Sequence, residues 1–223
     1  MTLKETTLPF LAQDCRQAFG PTEGDTLYQQ TEARFQDLLA QADDRGSPAI
    51  RDHLARKLLP PLAFYQTLRA RGMDQAAALD LVRQETRQAA QEKKAEMASL
   101  ARLPFAYTWY RLGVKKHMAK HFPPEGWETQ WVRCDGKEIH FNLHTCLYQT
   151  VTQALGCPEL CPLYCENDDI AFAGLAPKIT FHRTGTLASG APRCDFHFSR
   201  SEDSMQYLRT KKAVATANPT ERK

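Results

Sequence analysis

No stretch of this chain stays apolar for the roughly 18 residues that a membrane-spanning helix needs. The opening segment, MTLKETTLPFLAQDC, lacks an apolar core of signal-peptide length. Net charge is also scarce: 29 Lys and Arg stand against 26 Asp and Glu, leaving +3. Several of the cations (Arg209, Lys211, Lys212, Arg222, Lys223) fall in the last stretch of chain, so no clustered basic stripe of the nucleic-acid-binding kind remains. These absences predict a cytoplasmic protein whose partner is a small molecule, with neither membrane nor nucleic acid involved. There is no internal repeat, and no low-complexity segment outside residues 204–223, whose composition is that of a flexible polar tail. Seven cysteines are an odd number. In a chain of 223 residues with no secretion signal they read as thiols and not as a disulfide framework.

What is present divides in two. Residues 1–122 carry helical periodicity, for example Leu27, Thr31, Phe35, Leu38 and Leu39. Leu54, Leu58, Leu62, Tyr65 and Leu68 repeat in the same way around Pro60-Pro61, a pair that should end or kink a helix. Asp74 reads as an N-cap for a helix running to about Leu100. Phe105, Trp109 and Leu112 read as the packed face of the next helix. After PPEGW the pattern changes. ETQWVRC and KEIHFNLH flank Asp135-Gly136 as a hairpin, a helix is expected from about 144 to 155, and KITFHRTGTLA and APRCDFHFSR read as two further strands. The predicted fold is α+β: a helical N-terminal half packed on a C-terminal antiparallel-sheet ligand-binding domain, residues 123–203.

Six of the seven cysteines and four of the seven histidines lie after residue 130. CPELCPLYC places Cys157, Cys161 and Cys165 four residues apart. On one helix they would span about 12 Å, too far for one metal ion to bind all three. The spacing also misses the Cys-x3-Cys-x2-Cys of radical iron–sulfur enzymes by one residue, and it is not a paired zinc knuckle. Cys157 and Cys161 are assigned to the turn and to packing, and Cys165 to a pocket shared with Cys194.

A wider pattern is more specific. Cys146 precedes a short helix, Gly156-Cys157-Pro158-Glu159-Leu160 leads to Cys165 and Asp168, and Arg183-Thr184-x-Thr186-Leu187 is followed by Gly190-x3-Cys194-Asp195-Phe196. With KLLPPLAFYQTL and DQAAALDLV upstream, this order resembles the L-2-amino-thiazoline-4-carboxylic acid hydrolase family over roughly residues 50–200. The ending also resembles, more distantly, the 4-vinyl-reductase-type small-ligand domain. There Glu-x2-Cys-x7-Cys contributes zinc ligands. Arg183 and Thr186 replace two of them here, so the likeness implies a pocket holding Cys194, an earlier cysteine, a cation and a hydroxyl.

The resemblance implies hydrolysis of a small cyclic amidine that bears a carboxylate. 2-Amino-thiazoline-4-carboxylate would give N-carbamoyl-cysteine by cleavage of the ring C–S bond. Arg183 is the expected carboxylate clamp, because its planar fork offers two parallel donors. Asp168 or Glu159 would pair with the amidinium. Thr184 and Thr186 are further substrate-binding candidates. Cys165 and Cys194 are candidate nucleophiles. His140, on a polar strand face with Glu138 and Asn142, becomes a proton-transfer candidate if the sheet wraps a cavity. No cofactor is favoured. The alternative is a divalent ion such as zinc or manganese, held by Cys146, Cys165, Cys194 and Asp168, that activates water; in a third reading the cysteines are purely structural. Asp195 reads as a turn anchor, His117 and His121 as a solvated helix end, and His53 as a surface or cap residue. A non-catalytic small-ligand or metal sensor, and an enzyme of this fold acting on another strained ring, remain as rival functions. The oligomeric state is not legible in the sequence.

Overall fold

A computed structural model describes residues 1–201; the expected tail at 204–223 lies outside the described residues. The chain forms helices α1 (Leu11–Phe19), α2 (Pro21–Gln41), α3 (Pro48–His53), α4 (Leu59–Ala70), α5 (Gln75–Arg102) and α6 (Ala106–His121). Strands β1 (Thr129–Cys134) and β2 (Glu138–Leu143) follow, then α7 (Leu147–Ala154), α8 (Cys161–Ala173), β3 (Ile179–His182) and β4 (Cys194–Arg200). The four strands make an antiparallel sheet in the order β1-β2-β4-β3. The fold is therefore α+β, as the change of periodicity after PPEGW implies.

Pro60-Pro61 does not end its helix. The chain widens instead into a π-helical turn over Leu54–Leu58, and the two prolines become the first turn of α4. A proline nitrogen cannot donate to the preceding turn, so carbonyls are released there. The Arg56 carbonyl accepts from Thr7 N at 2.9 Å and Thr7 Oγ1 at 3.0 Å, and the Leu58 carbonyl accepts from the Tyr164 hydroxyl at 2.8 Å. Asp74 caps α5 as expected, accepting from Ala77 N at 3.0 Å.

Alternation along the strands sets one buried face. Ile139, Phe141 and Leu143 of β2 pair in register with Phe198, Phe196 and Cys194 of β4, and Phe181 of β3 pairs with Phe198. Phe172 of α8 meets this face, 4.9 Å from Phe198 ring to ring, and Tyr110 of α6 lies 5.2 Å from Phe198. A continuous core runs from Leu3 through the helices to Phe198 and crosses residue 122 without a break.

The packed face expected on α6 is instead turned outward: Phe105, Trp109 and Leu112 are 49%, 60% and 60% exposed. The helix directs Tyr107, Val114 and Met118 inward in their place. Its apolar residues fall on more than one side, so spacing alone could not say which stripe is covered.

Helix α8 touches α5 closely enough to require glycine. A Cβ added at Gly174 would stand 2.2 Å from the Lys94 carbonyl oxygen, a backbone atom with nowhere to go. Gly174→Ala is expected to cost about 1–3 kcal/mol, as overpacking does. A urea midpoint equal to that of the wild type would contradict this account of the α5–α8 contact.

Candidate active site

Helix α8 brings the candidate residues together. Cys165 and Cys161 stand one turn apart on it. Cys157 lies outside the helix, before a short 3₁₀ turn, where its buried thiol meets Gln66 Nε2 at 3.4 Å. The three cysteines therefore do not share a helix face. Arg183 extends β3 and turns under the sheet, so its guanidinium lies between the Phe181 and Phe196 rings, 5.6 Å from each centroid. It pairs with Asp169 at 2.9 Å and Asp168 at 3.5 Å, donates to the Cys165 carbonyl, and keeps only 8% of its side chain exposed. Burial opposes its charge, but the two aspartates hold it. The fork expected to clamp a substrate carboxylate thus meets two carboxylates of α8 here, while Arg183 also lines the cavity described below.

The Cys165 thiol is the acidic member of a pair. The Cys161 thiol donates to it and lowers its pKa; burial and Asp168 oppose this, while Arg183 and the Thr186 hydroxyl favour the anion. Cys161 is raised correspondingly, by the same hydrogen bond and by burial. The other two thiols nearby are poorer nucleophiles. Burial pushes Cys194 up to about 12 even though the Leu187 N–H donates to its sulfur at 3.1 Å, and burial pushes Cys146, at the N-terminus of α7, up to about 11. The sequence assigned Cys161 to packing, yet in the fold it is the immediate partner of Cys165.

On one side of α8, Cys165 opens into a cavity of about 640 Å³, within the range of small-molecule sites. Phe172, Phe181 and Ile179 form an apolar wall, and Arg183, Thr184, Thr186 and Ser189 form the polar one. Asp195 anchors this rim: its carboxylate accepts from Thr184 N at 2.9 Å, Thr184 Oγ1 at 2.8 Å and Gly185 N at 3.0 Å.

The other side of α8 faces inward. Burial pushes Asp168 up to about 6 against the pull of Arg183, yet 43% of its side chain is open. Tyr110, Tyr148 and Tyr164 share this combination, with hydroxyl pKa values driven up by burial and rings only partly covered. Asp168, Cys146 and the three tyrosines thus lie on the inner side of α8. The tyrosines left no signal in the sequence, because aromatic residues at helical spacing read as ordinary core.

Two expected site residues stand elsewhere. His140 lies on the sheet face opposite the core, its ring 5.0 Å from that of His197, which meets Glu138 at 2.8 Å. On that face His182, which pairs in register with His197, lines the cavity. Glu159 accepts from the Tyr65 hydroxyl on the 3₁₀ turn. Among the described residues no three or more His, Cys, Asp or Glu side chains are arranged to hold a metal ion, so Cys146, Cys165, Cys194 and Asp168 do not form a ligand set. His53 is not at the surface. It is 3% exposed, and its Nε2–H donates to the His121 carbonyl at 2.9 Å while Nδ1 accepts from the Tyr148 hydroxyl at 2.9 Å. Burial, with Lys57 beside it, drives its pKa down to about 3 and keeps the ring neutral. No helix among the described residues is long and apolar enough to cross a membrane.

Helix α8 thus offers a thiol on a small-molecule cavity and, on its inner side, a carboxylate tied to Arg183 of the cavity wall, the elements of nucleophilic and proton-transfer chemistry. The chain belongs to the L-2-amino-thiazoline-4-carboxylic acid hydrolase family, whose model matches residues 51–198, and the family's name implies hydrolase activity. That span holds every candidate residue described above and leaves α1 and α2 outside. The chain matches no curated protein and no solved structure.

Proposed function

We propose that the protein opens a small cyclic amidine carboxylic acid of the 2-amino-thiazoline-4-carboxylate type by hydrolysis, with Cys165 as nucleophile. The observation that carries this reading is that Cys165 opens into the cavity with Arg183 and Thr186, that Cys161 stands one turn away and favours its anion, and that Asp168 pairs with the same Arg183 at 3.5 Å. At pH 7 Asp168 is mostly ionised, and it pairs with the two N–H groups of the amidinium. The Cys165 thiolate adds to the ring carbon between nitrogen and sulfur. The ring C–S bond breaks, the sulfur leaves as a thiolate, and the carbon stays on Cys165 as an S-linked isothiouronium. Water then adds to that carbon. Its two protons go to Asp168 and to the product thiolate, the bond to Cys165 breaks, and N-carbamoyl-cysteine leaves with the Cys165 thiolate restored.

The pH profile of turnover tests the pairing. Asp168 must be ionised both to bind the amidinium and to accept the proton. kcat/KM for L-2-amino-thiazoline-4-carboxylate is therefore expected to fall about tenfold per pH unit below about 6. Asp168→Asn is expected to lower kcat/KM roughly 10²-fold and to remove that limb. Turnover by the wild type with a flat profile down to pH 5 would remove Asp168 from the mechanism, and absence of turnover at every pH would remove the function.

A further inference from the structure

The stripe that α6 turns outward is not used by the fold. Leu103, Phe105, Trp109 and Leu112 are 49%, 49%, 60% and 60% exposed, and the spacing of the last three puts them on one side of the helix. Single exposed apolar residues are ordinary, but a run of large ones along one helix marks a contact surface. Phe105 also holds a costly backbone conformation. It is the N-cap of α6 at φ 57 and ψ 33, the left-handed region that a bulky residue rarely adopts. Strain of this kind persists where function requires it.

Charge around the stripe has one sign. Between Glu96 and Glu125 the chain has no Asp or Glu, yet it has Arg102, Arg111, Lys115, Lys116 and Lys120. Lys116 follows Leu112 by one turn and Lys120 by two, and both are exposed on the same outward face. Arg102, also exposed, precedes Leu103, and the Lys178 ammonium donates to the Leu103 carbonyl at 3.2 Å. Among the described residues none of Arg102, Lys116, Lys120 and Lys178 is in an ion pair. An apolar stripe with cations at both ends and no acid between them suits an anionic partner. A second copy of this chain suits it poorly, because two-fold pairing about the middle of the stripe sets the Lys116 end of one copy against the Arg102 end of the other. Composition argues against a protein partner, since lysine is depleted in protein interfaces and three of the four cations are lysines. A bilayer surface carrying acidic phospholipid suits both parts: Phe, Trp and Leu side chains enter the headgroup boundary, and lysine stems lie along it with their ammonium groups at the phosphates. No helix among the described residues is fit to cross a membrane, but a helix lying in the plane of the surface needs no apolar run of spanning length.

We infer that the outward face of α6 docks on an anionic phospholipid surface, with Phe105, Trp109 and Leu112 entering the headgroup boundary and Arg102, Lys116, Lys120 and Lys178 meeting lipid phosphates. This docking is independent of the hydrolase reading. Sedimentation with vesicles tests it, using the full chain and either phosphatidylcholine alone or phosphatidylcholine mixed with phosphatidylglycerol. The wild type is expected to sediment with the mixed vesicles and not with phosphatidylcholine, and the bound fraction is expected to fall as salt is raised. Trp109→Ser with Leu112→Ser, and separately Lys116→Gln with Lys120→Gln, are each expected to weaken binding about tenfold or more. Lys4→Gln with Lys137→Gln removes the same charge from exposed positions elsewhere and is expected to bind like the wild type. Brominated lipid in the mixed vesicles is expected to quench wild-type tryptophan fluorescence, and Trp109→Phe to remove most of that quenching. Wild type that stays in the supernatant with both vesicles would overturn the inference, as would binding that the Trp109 and Leu112 substitutions leave unchanged. Equal losses in the Lys116/Lys120 and Lys4/Lys137 variants would reduce it to an effect of net charge and overturn it. A wild-type dimer in sedimentation velocity that the Trp109 and Leu112 substitutions dissociate, with no vesicle binding, would assign the face to a contact between copies instead.

Discussion

Cys165→Ser is expected to lose turnover of L-2-amino-thiazoline-4-carboxylate on the order of 10³-fold or more, with the fold unchanged. Serine is close to cysteine in size, and the site surrounds the sulfur with groups that support an anion: the Cys161 thiol, the Arg183 guanidinium and the Thr186 hydroxyl. A serine hydroxyl ionises far above neutrality, and the imidazole that lines the cavity, His182, lies against the His197 ring at 4.2 Å. His140 and its neighbour His197 are on the opposite face of the sheet, and His53 is held neutral by Tyr148 and the His121 carbonyl. The same substitution at Cys194 is expected to change turnover much less, because that thiol is held at about 12 by burial and its sulfur accepts the Leu187 N–H. Equal losses at the two positions would mean that the chemistry depends on packing around the cysteines and not on the acidic thiol.

The second large effect concerns stability. Glu85 of α5 is 7% exposed, and its Oε2, like Oδ2 of Asp14 on α1, is buried with no other hydrogen-bond partner. Two carboxylate oxygens can bond to each other only when one carries a proton. Burial, and then the Asp14 charge and hydrogen bond, raise Glu85 from 4.5 to about 8. The folded protein therefore holds a proton that the unfolded chain releases, and stability falls as pH rises from about 4.5 to about 8. At 1.36 kcal/mol per unit of displacement, the loss is about 3 kcal/mol by pH 7. Glu85→Gln is neutral in both states and can donate to Asp14. It is expected to stabilise the fold by up to about 3 kcal/mol at pH 8 and to have little effect at pH 4, measured by urea unfolding at the two pH values. A variant less stable than wild type at pH 8 would show that the pair is not a shared-proton contact. Cys15 borders the same contact and is itself driven up to about 12, by burial and then by Glu85, so it stays a neutral thiol and does not compete for the proton.

Much of the scaffold was readable because its signals are local. The Asp135-Gly136 turn, the alternation of Ile139, Phe141 and Leu143, and the Asp74 cap each depend on a few neighbouring residues, and each stands where the sequence places it. The strand before Arg183 was also legible, though it ends at His182 and not within the TGTLA stretch, but the contacts of Arg183 were not. Whether a guanidinium meets a substrate or a buried aspartate depends on which helix packs under its strand, and Arg183 and Asp168 are 15 residues apart. The contacts that fasten α7 and α8 to the helical half were less visible still, because His53 and Tyr148 are separated by 95 residues and Tyr164 and Leu58 by 106. Whether Pro60-Pro61 would end or only kink its helix was not legible, because the group that meets the released Arg56 carbonyl, Thr7, comes from a segment nearly fifty residues earlier. Phe105, Trp109 and Leu112 failed for a different reason: α6 carries apolar residues on two sides, and only the tertiary fold decides which side is covered.

The most direct measurement is a mass-spectrometric time course of the purified protein with L-2-amino-thiazoline-4-carboxylate, following both the small molecule and the acid-quenched protein. The account predicts a product one water heavier than the substrate. It also predicts a transient protein species heavier by one substrate, located on the peptide that contains Cys165 and missing from Cys165→Ser. Hydrolysis at an undiminished rate in Cys165→Ser, or an adduct confined to Cys146 or Cys194, would contradict the assignment of the nucleophile. A substrate that stays unchanged over the whole course would contradict the proposed hydrolysis itself.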